Sequence, residues 1–413
     1  MFFSTRNKVG DAAEQNQYAL HSILHGNQEA VQCLKVNEDG TLLASGGADG
    51  IRLWDLRSNV ELDRPSIGGG QRGATTALLW IRRDDYPGEI LVSGTQGGHL
   101  CIWIQAPESN TFEEKLPVPQ LFYPSEITGL AFDSSTNRLA VCNRERMVQV
   151  HVMNDKIELG SAVVKRCKQV PMAIFFSSDR EVVVFANGEK KRIRYDANTL
   201  EIIRSQEIGT CIGSVDYNHR KGVFCLDDVY NGPALFKVDT EVRTKSWEVA
   251  KPKAAQKKLD DTDTGTGTEA RQKTGNNGEF PRPRKVCFAE DCTSVVSGSN
   301  HGLVHVFHRR RENVVDKLDM QSGGLWVQAV AAAEIEGAST IFAASSKDGH
   351  GGNPINVWKK QRIINTTVTR PKRRISICTG FMVALLALNI TILVAVAIHF
   401  YQDFSKAYSL LKF

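Results

Sequence analysis

The sequence predicts an all-β fold, seven four-stranded sheets closed into a propeller over residues 17–358, followed by one C-terminal transmembrane α-helix over 375–398. Three observations predict it. A strand–turn–strand unit recurs along the chain at roughly the length of a propeller blade. The runs are short and rich in β-branched and aromatic residues, and in the first unit they are separated by D-G turns. One stretch near the C-terminus is apolar for longer than a strand or an ordinary core helix needs.

Residues 1–16 lack the apolar core of a signal peptide and are expected to be disordered. QYALHSIL, 17–24, is strand-like and precedes the first unit, so it is expected to supply the outer strand of the last blade and close the ring. AVQCLKVNEDGTLLASGGADGIRLWDL, Ala30 to Leu56, reads as a strand, a D-G turn, a buried strand, a second D-G turn and a third strand. Weaker copies end their third strands at Trp103, His151, Tyr195, Phe236, Phe307 and Trp358. Counted from Trp54, the intervals are 49, 48, 44, 41, 71 and 51 residues, and a four-stranded blade takes about 40–45. The long interval contains 251–280, rich in Lys, Asp, Thr and Gly and without periodicity, which is expected to be a disordered insertion between blades five and six. The degenerate middle leaves six or eight blades open.

The first unit resembles a WD repeat, and 17–358 resembles a WD-repeat propeller, strongly at both ends and weakly in between. In that family a hydrogen-bonded Ser or Thr, Asp, Trp and His brace a blade. The resemblance implies such roles for Ser45, Asp49 and Trp54 in the first blade, Trp103 in the second, and Ser345, Asp348 and Trp358 in the seventh. Departures are visible. His25 lies two residues too far upstream, Gly50 runs directly into Ile51, and blades three to five lack the Trp. The resemblance extends to fungal WD-repeat proteins with a terminal membrane span, and it implies a non-enzymatic platform binding cytosolic proteins through its loops, without a cofactor.

From Ile375 to Ile398 there is no charged residue, enough to cross the roughly 30 Å hydrocarbon core of a bilayer. Basic residues cluster before the span, at Lys359, Lys360, Arg362, Arg370, Lys372, Arg373 and Arg374, against Lys406 and Lys412 after it. The imbalance places the body in the cytosol, the tail 399–413 in the lumen, and a basic stem over 359–374 beside anionic lipid headgroups. With so little chain beyond the span, the arrangement is tail-anchored. The length and apolarity favour the endoplasmic reticulum over the outer mitochondrial membrane.

The chain carries 51 Lys and Arg against 46 Asp and Glu, but residues 359–413 hold nine bases and one acid, leaving 42 against 45 for the body. A body without basic excess argues against nucleic acid. Nine cysteines, without a C-x-x-C pair, sit mostly in apolar strand-like runs and suit a reducing compartment.

Catalytic and metal signatures are missing from the sequence. GGGQRGAT, 68–75, has phosphate-loop glycines, but Ala74 stands in the place of the lysine and a strand follows. His301, His305 and His308 fall at strand spacing and read as sheet residues, and Lys190–Arg192 and Arg309–Arg311 read as solvated turns. Trp54-Asp55-Leu56-Arg57 resembles the W-D-x-R by which some propellers dock on cullin–RING ubiquitin ligases, making Trp54, Asp55 and Arg57 candidate partner contacts. The order propeller-then-helix also resembles the exchange factor for the coat-assembly GTPase at the endoplasmic reticulum, although Ala48-Asp49-Gly50 leaves no room there for that factor's long first-blade loop.

Overall fold

The second run of each repeat is the most apolar, and each becomes a strand covered on both faces by neighbouring blades. The computed structural model describes residues 17–63, 72–106, 109–115, 121–178, 180–188, 190–240, 242–249, 282–311, 313–321, 326–346, 352–361 and 388–403.

The N-terminal strand β1 (Ala19–Leu24) belongs to the last blade. Blade 1 is β2 (Val31–Val36), β3 (Leu42–Gly47), β4 (Gly50–Asp55) and β5 (Val60–Glu61). Blade 2 is β6 (Thr75–Arg83), β7 (Tyr86–Thr95), β8 (Leu100–Gln105) and β9 (Phe112–Glu114). Blade 3 is β10 (Ile127–Asp133), β11 (Arg138–Asn143), β12 (Met147–Met153) and β13 (Leu159–Arg166). Blade 4 is β14 (Val170–Ser178), β15 (Glu181–Asn187), β16 (Lys191–Asp196) and β17 (Ile202–Glu207). Blade 5 is β18 (Ile212–Asn218), β19 (Val223–Asp228), β20 (Gly232–Lys237) and β21 (Arg243–Ser246). Blade 6 is β22 (Val286–Ala289), β23 (Ser294–Ser297), β24 (Leu303–His308) and β25 (Val314–Asp319). Blade 7 is β26 (Trp326–Ile335), β27 (Ala338–Ser346) and β28 (Ile355–Gln361), completed by β1.

All seven sheets are antiparallel and four-stranded, so the blade number is seven. The first strands line a central channel of about 340 Å³. The register repeats from blade to blade. Trp54, Trp103, His151, Tyr195, Phe236, Phe307 and Trp358 each sit opposite a buried residue of the second strand: Leu43, Leu91, Leu139, Val182, Phe224, Val295 and Ile341. The core therefore forms between blades. Trp54, for example, packs with Leu34 and Leu43 against Phe342 and Val357 of blade 7. In blade 1 the first turn is tied by Asn37, whose Oδ1 accepts from the N–H groups of Thr41 and Leu42 at 2.9 Å each, and Gly40 turns it at φ +69°.

Closure follows the expected plan, with β1 pairing β28 so that Leu20 faces Trp358 and Leu24 faces Ile355. One boundary differs. β28 runs past Trp358 to Gln361, because Lys359 is needed opposite Ala19 and Thr340, so the first residues of the basic stretch 359–374 are still blade. Lys360 then donates to Glu290 Oε1 at 2.8 Å, as does the Tyr18 hydroxyl at 3.0 Å, and the seam is stitched to blade 6. Burial would raise the Glu290 carboxyl, but these donors and Ser294 outweigh it and hold it below its ordinary range.

Residues 363–413 form a separate unit, in which 388–403 is helical. Apolar side chains from Leu388 to Tyr401 are exposed along it, Thr391 donates back to the Leu388 carbonyl at 2.8 Å, and His399 meets Asp403 at 3.1 Å. Among the described residues no helix is long and apolar enough to cross a membrane. The first half of the expected span, 375–387, lies outside the described residues, as do 1–16, the insertion 251–280, Asp348, the stem residues Arg370, Lys372, Arg373 and Arg374, and 404–413.

Candidate interaction surface

Label the strands of a blade a to d from the channel outwards. Antiparallel alternation brings the start of every strand a, every b–c turn and the end of every strand d to one face of the ring, here the d–a face. β28 is a c strand, so it ends at the opposite face.

Of the blade-1 residues singled out in the sequence, Ser45 and Asp49 lie towards the d–a face, whereas Trp54, Asp55 and Arg57 lie at the end of β4, towards the opposite one. Ser45 donates to Asn27 Oδ1 at 3.0 Å, and His25 is exposed. The partner expected of His25 is thus supplied by Asn27, two residues on, which is the offset noticed in the sequence. Asp49 accepts from Arg52 Nε at 3.0 Å and from the Gln28 N–H at 3.2 Å, and buried Arg52 also meets Glu61 at 2.6 Å. Trp54 is 1% exposed and its Nε1 has no acceptor, so no Ser45–Trp54 hydrogen bond forms. Blade 2 makes that bond: Trp103 Nε1 donates to Ser93 Oγ at 3.0 Å, and Ser93 stands at the register of Ser45. In blade 7, Ser345 and Trp358 are both buried.

The W-D-x-R group divides. Trp54 is inside, while Asp55 Oδ1 accepts from the N–H groups of Arg57 at 2.7 Å and Ser58 at 3.2 Å and shapes the turn after β4. Only Arg57 offers a fully exposed side chain. The β3–β4 connection is Ala48-Asp49 alone.

One turn assignment changes. Arg192 is buried, donates to the Val238 carbonyl at 3.1 Å and lies 5.5 Å from the Phe224 ring centroid, because β16 carries it between blades 4 and 5. His305 is buried on β24 without a partner for either ring nitrogen. Among the described residues no group of three or more His, Cys, Asp or Glu could hold a metal ion. Six of the eight described cysteines are buried and all eight are free. Burial pushes the Cys33 and Cys142 thiols up to about 12.

A polar network missed in the sequence joins blades 5 and 6. Asp227, fully buried, takes the Arg284 backbone N–H and Nε at 2.8 Å each, and Arg284 Nη2 reaches the Asp228 and Val229 carbonyls. Burial keeps the Asp227 carboxyl above its ordinary range even so. The signal was present as two acids closing an apolar run, VFCLDD.

The channel wall carries Lys35, Asp216 and Lys285. Burial, and Lys35 nearby, lower the Lys285 amine. Asp216 is held by the N–H groups of Phe288 at 2.8 Å and Tyr217 at 3.0 Å.

Aromatic exposure marks one face. Among the described residues of the propeller, the exposed aromatics are Phe122, Tyr123 and Tyr230, at 54%, 61% and 71%, and all three lie on the d–a face. Their backbones are fixed from within. Buried Gln149 accepts from the Phe122 N–H and donates to its carbonyl, both at 3.2 Å, and buried Asn143 donates to the Tyr123 carbonyl at 2.8 Å. Tyr123 is thereby held at φ +53°, in the left-handed region. Asp228 holds the Tyr230 N–H at 3.2 Å.

No curated protein matches this chain. A family model described as WD domain, G-beta repeat, matches residues 19–55. Those limits coincide with the start of β1 and the end of β4, so the sequence repeat is one strand out of step with the blade and spans the ring closure. That match and the seven-bladed ring together support reading the propeller as one of WD-repeat type.

Proposed function

We propose that this protein is a non-enzymatic interaction scaffold whose propeller faces the cytosol and whose residues 375–398 hold it on an organelle membrane, the endoplasmic reticulum by preference. The observation that carries the scaffold reading is the gathering of the exposed aromatics on the d–a face with their backbones pinned by buried side chains. Tyrosine and other aromatics are enriched in interface hot spots, and a pre-fixed backbone lowers the ordering cost of binding. The membrane part rests on the uncharged run and its flanking bases, and the basic residues from 362 to 374 would meet anionic headgroups. The chain leaves the ring at the face opposite the aromatics.

Proximity labelling in the native cell tests the scaffold. The full chain should label a set of cytosolic proteins that residues 359–413 alone do not, and Phe122→Ala with Tyr123→Ala should deplete it. Identical sets with and without the propeller would remove the proposal. Protease added to intact microsomes should digest the propeller and spare a small C-terminal fragment; a protected propeller refutes the orientation.

A further inference from the structure

The blade-3 corner of the d–a face has a chemistry narrower than general stickiness. Around Phe122 and Tyr123 stand four exposed cations: Arg144 and Arg146 on the β11–β12 turn, Arg166 at the end of β13, and Lys168 just beyond. They form one patch. The Arg166 guanidinium lies 5.7 Å from the Tyr123 ring centroid, Arg146 Nη1 reaches the Lys168 carbonyl at 3.5 Å, and the Cys167 N–H donates to the Arg146 carbonyl at 2.7 Å. Two carboxylates offset part of the charge, Glu126 at 2.5 Å from Arg144 and Glu145 at 3.9 Å from Arg166. Arg146 and Lys168 have no carboxylate within ion-pair distance among the described residues. The corner is therefore positive on a body with fewer bases than acids.

We infer that the blade-3 corner docks an acidic peptide segment carrying an apolar anchor residue. This rests on the scaffold reading above and names its partner's chemistry. Phe122 and Tyr123 give an anchor side chain a rigid aromatic bed, and the four cations select carboxylates on either side of it. The Arg166–Glu145 pair is exposed on both sides and the Arg144–Glu126 pair is exposed on the Arg144 side, so exchanging Glu145 for a partner's carboxylate costs little. A long polyanion fits less well. Nucleic acid needs a run of phosphate contacts, and beyond this corner it would meet a body whose acids outnumber its bases.

The test uses the full chain in neutral detergent and fluorescence anisotropy of a labelled short peptide, Asp- and Glu-rich around a central Leu. Controls are the same peptide with Asn and Gln for the acids, a uridine oligonucleotide, and vesicles containing phosphatidylserine. The acidic peptide should bind more tightly at low salt, and either Arg166→Glu with Lys168→Glu or Phe122→Ala with Tyr123→Ala should weaken it at least about tenfold. Melting curves check that the variants fold. Equal binding of the neutral peptide, indifference to charge reversal, or oligonucleotide or vesicle binding in place of the peptide overturns the inference. If the peptide fails while labelling in cells still depends on Phe122 and Tyr123, only the acidic-peptide assignment falls. If labelling is independent of the propeller, the scaffold falls with it.

Discussion

Acid should loosen blade 6 through a single side chain. His305 is fully buried on β24, opposite Ser297 and Lys317, with His301 edge-on at 5.4 Å and Phe307 nearly parallel at 6.0 Å. Neither ring nitrogen has a hydrogen-bond partner. Burial, then the neighbouring His301, Lys317 and Arg284, push the imidazole from 6.5 down to about 4. The unfolded chain therefore binds the proton more readily than the native one. Stability is full above the unfolded value and falls as the pH drops from 6.5 towards about 4. The whole interval corresponds to roughly 3 kcal/mol, of which about 2 kcal/mol is lost by pH ~5. His305→Leu removes the titration and keeps an apolar filling, as Ile193 and Ala234 do at the same register of blades 4 and 5. Urea unfolding of the full chain near neutrality and at pH ~5 should show the variant losing about 2 kcal/mol less than the natural protein. Equal losses in the two proteins would refute a buried neutral imidazole.

Two further outcomes follow from the blade interfaces. Trp54→Ala should cost about 3–5 kcal/mol, seen as a lower melting temperature, whereas Trp54→Phe should cost far less because Nε1 has no acceptor to lose; equal effects of the two would contradict the packing described. Arg284→Met strands the Asp227 carboxylate and should cost about 3–5 kcal/mol, and adding Asp227→Leu should recover much of it by denaturant titration. A double variant no better than the single one would mean that Arg284 acts elsewhere.

The ring was legible because its signal is repeated. Strand runs and the aromatic or His that ends each third strand recur seven times, and closure by 17–24 follows from the missing outer strand of the last blade. The boundary at Trp358 was misplaced since lysine is read as a stop, yet Lys359 has ladder partners on both sides and Lys360 an acid across the seam. Arg192 misled in the same way: charge in a K-K-R run signals solvent, but strand alternation turns its third member inwards over Phe224. Asn27 and Gln149 were invisible because neither acts on its own strand neighbours. Each bonds a residue brought near by the ring, Ser45 across 18 positions and Phe122 across 27.

Where the blades differ is as ordered as where they agree. Two residues before each third-strand aromatic, on the same side of the sheet, stand Arg52, Cys101, Gln149, Ile193, Ala234, His305 and Asn356, all buried. The aromatic position answers to packing between blades and accepts Trp, Tyr, Phe or His, so it drifts without changing the fold. Its neighbour varies from charged to apolar, and in blades 1 and 3 it bonds groups near the d–a face. Arg52 gathers Asp49 and Glu61, and Gln149 clamps Phe122 in place. Uniform packing thus builds the ring, while in blades 1 and 3 one variable buried position couples that ring to its surface. In blade 3 this coupling fixes Phe122 where a partner can reach it.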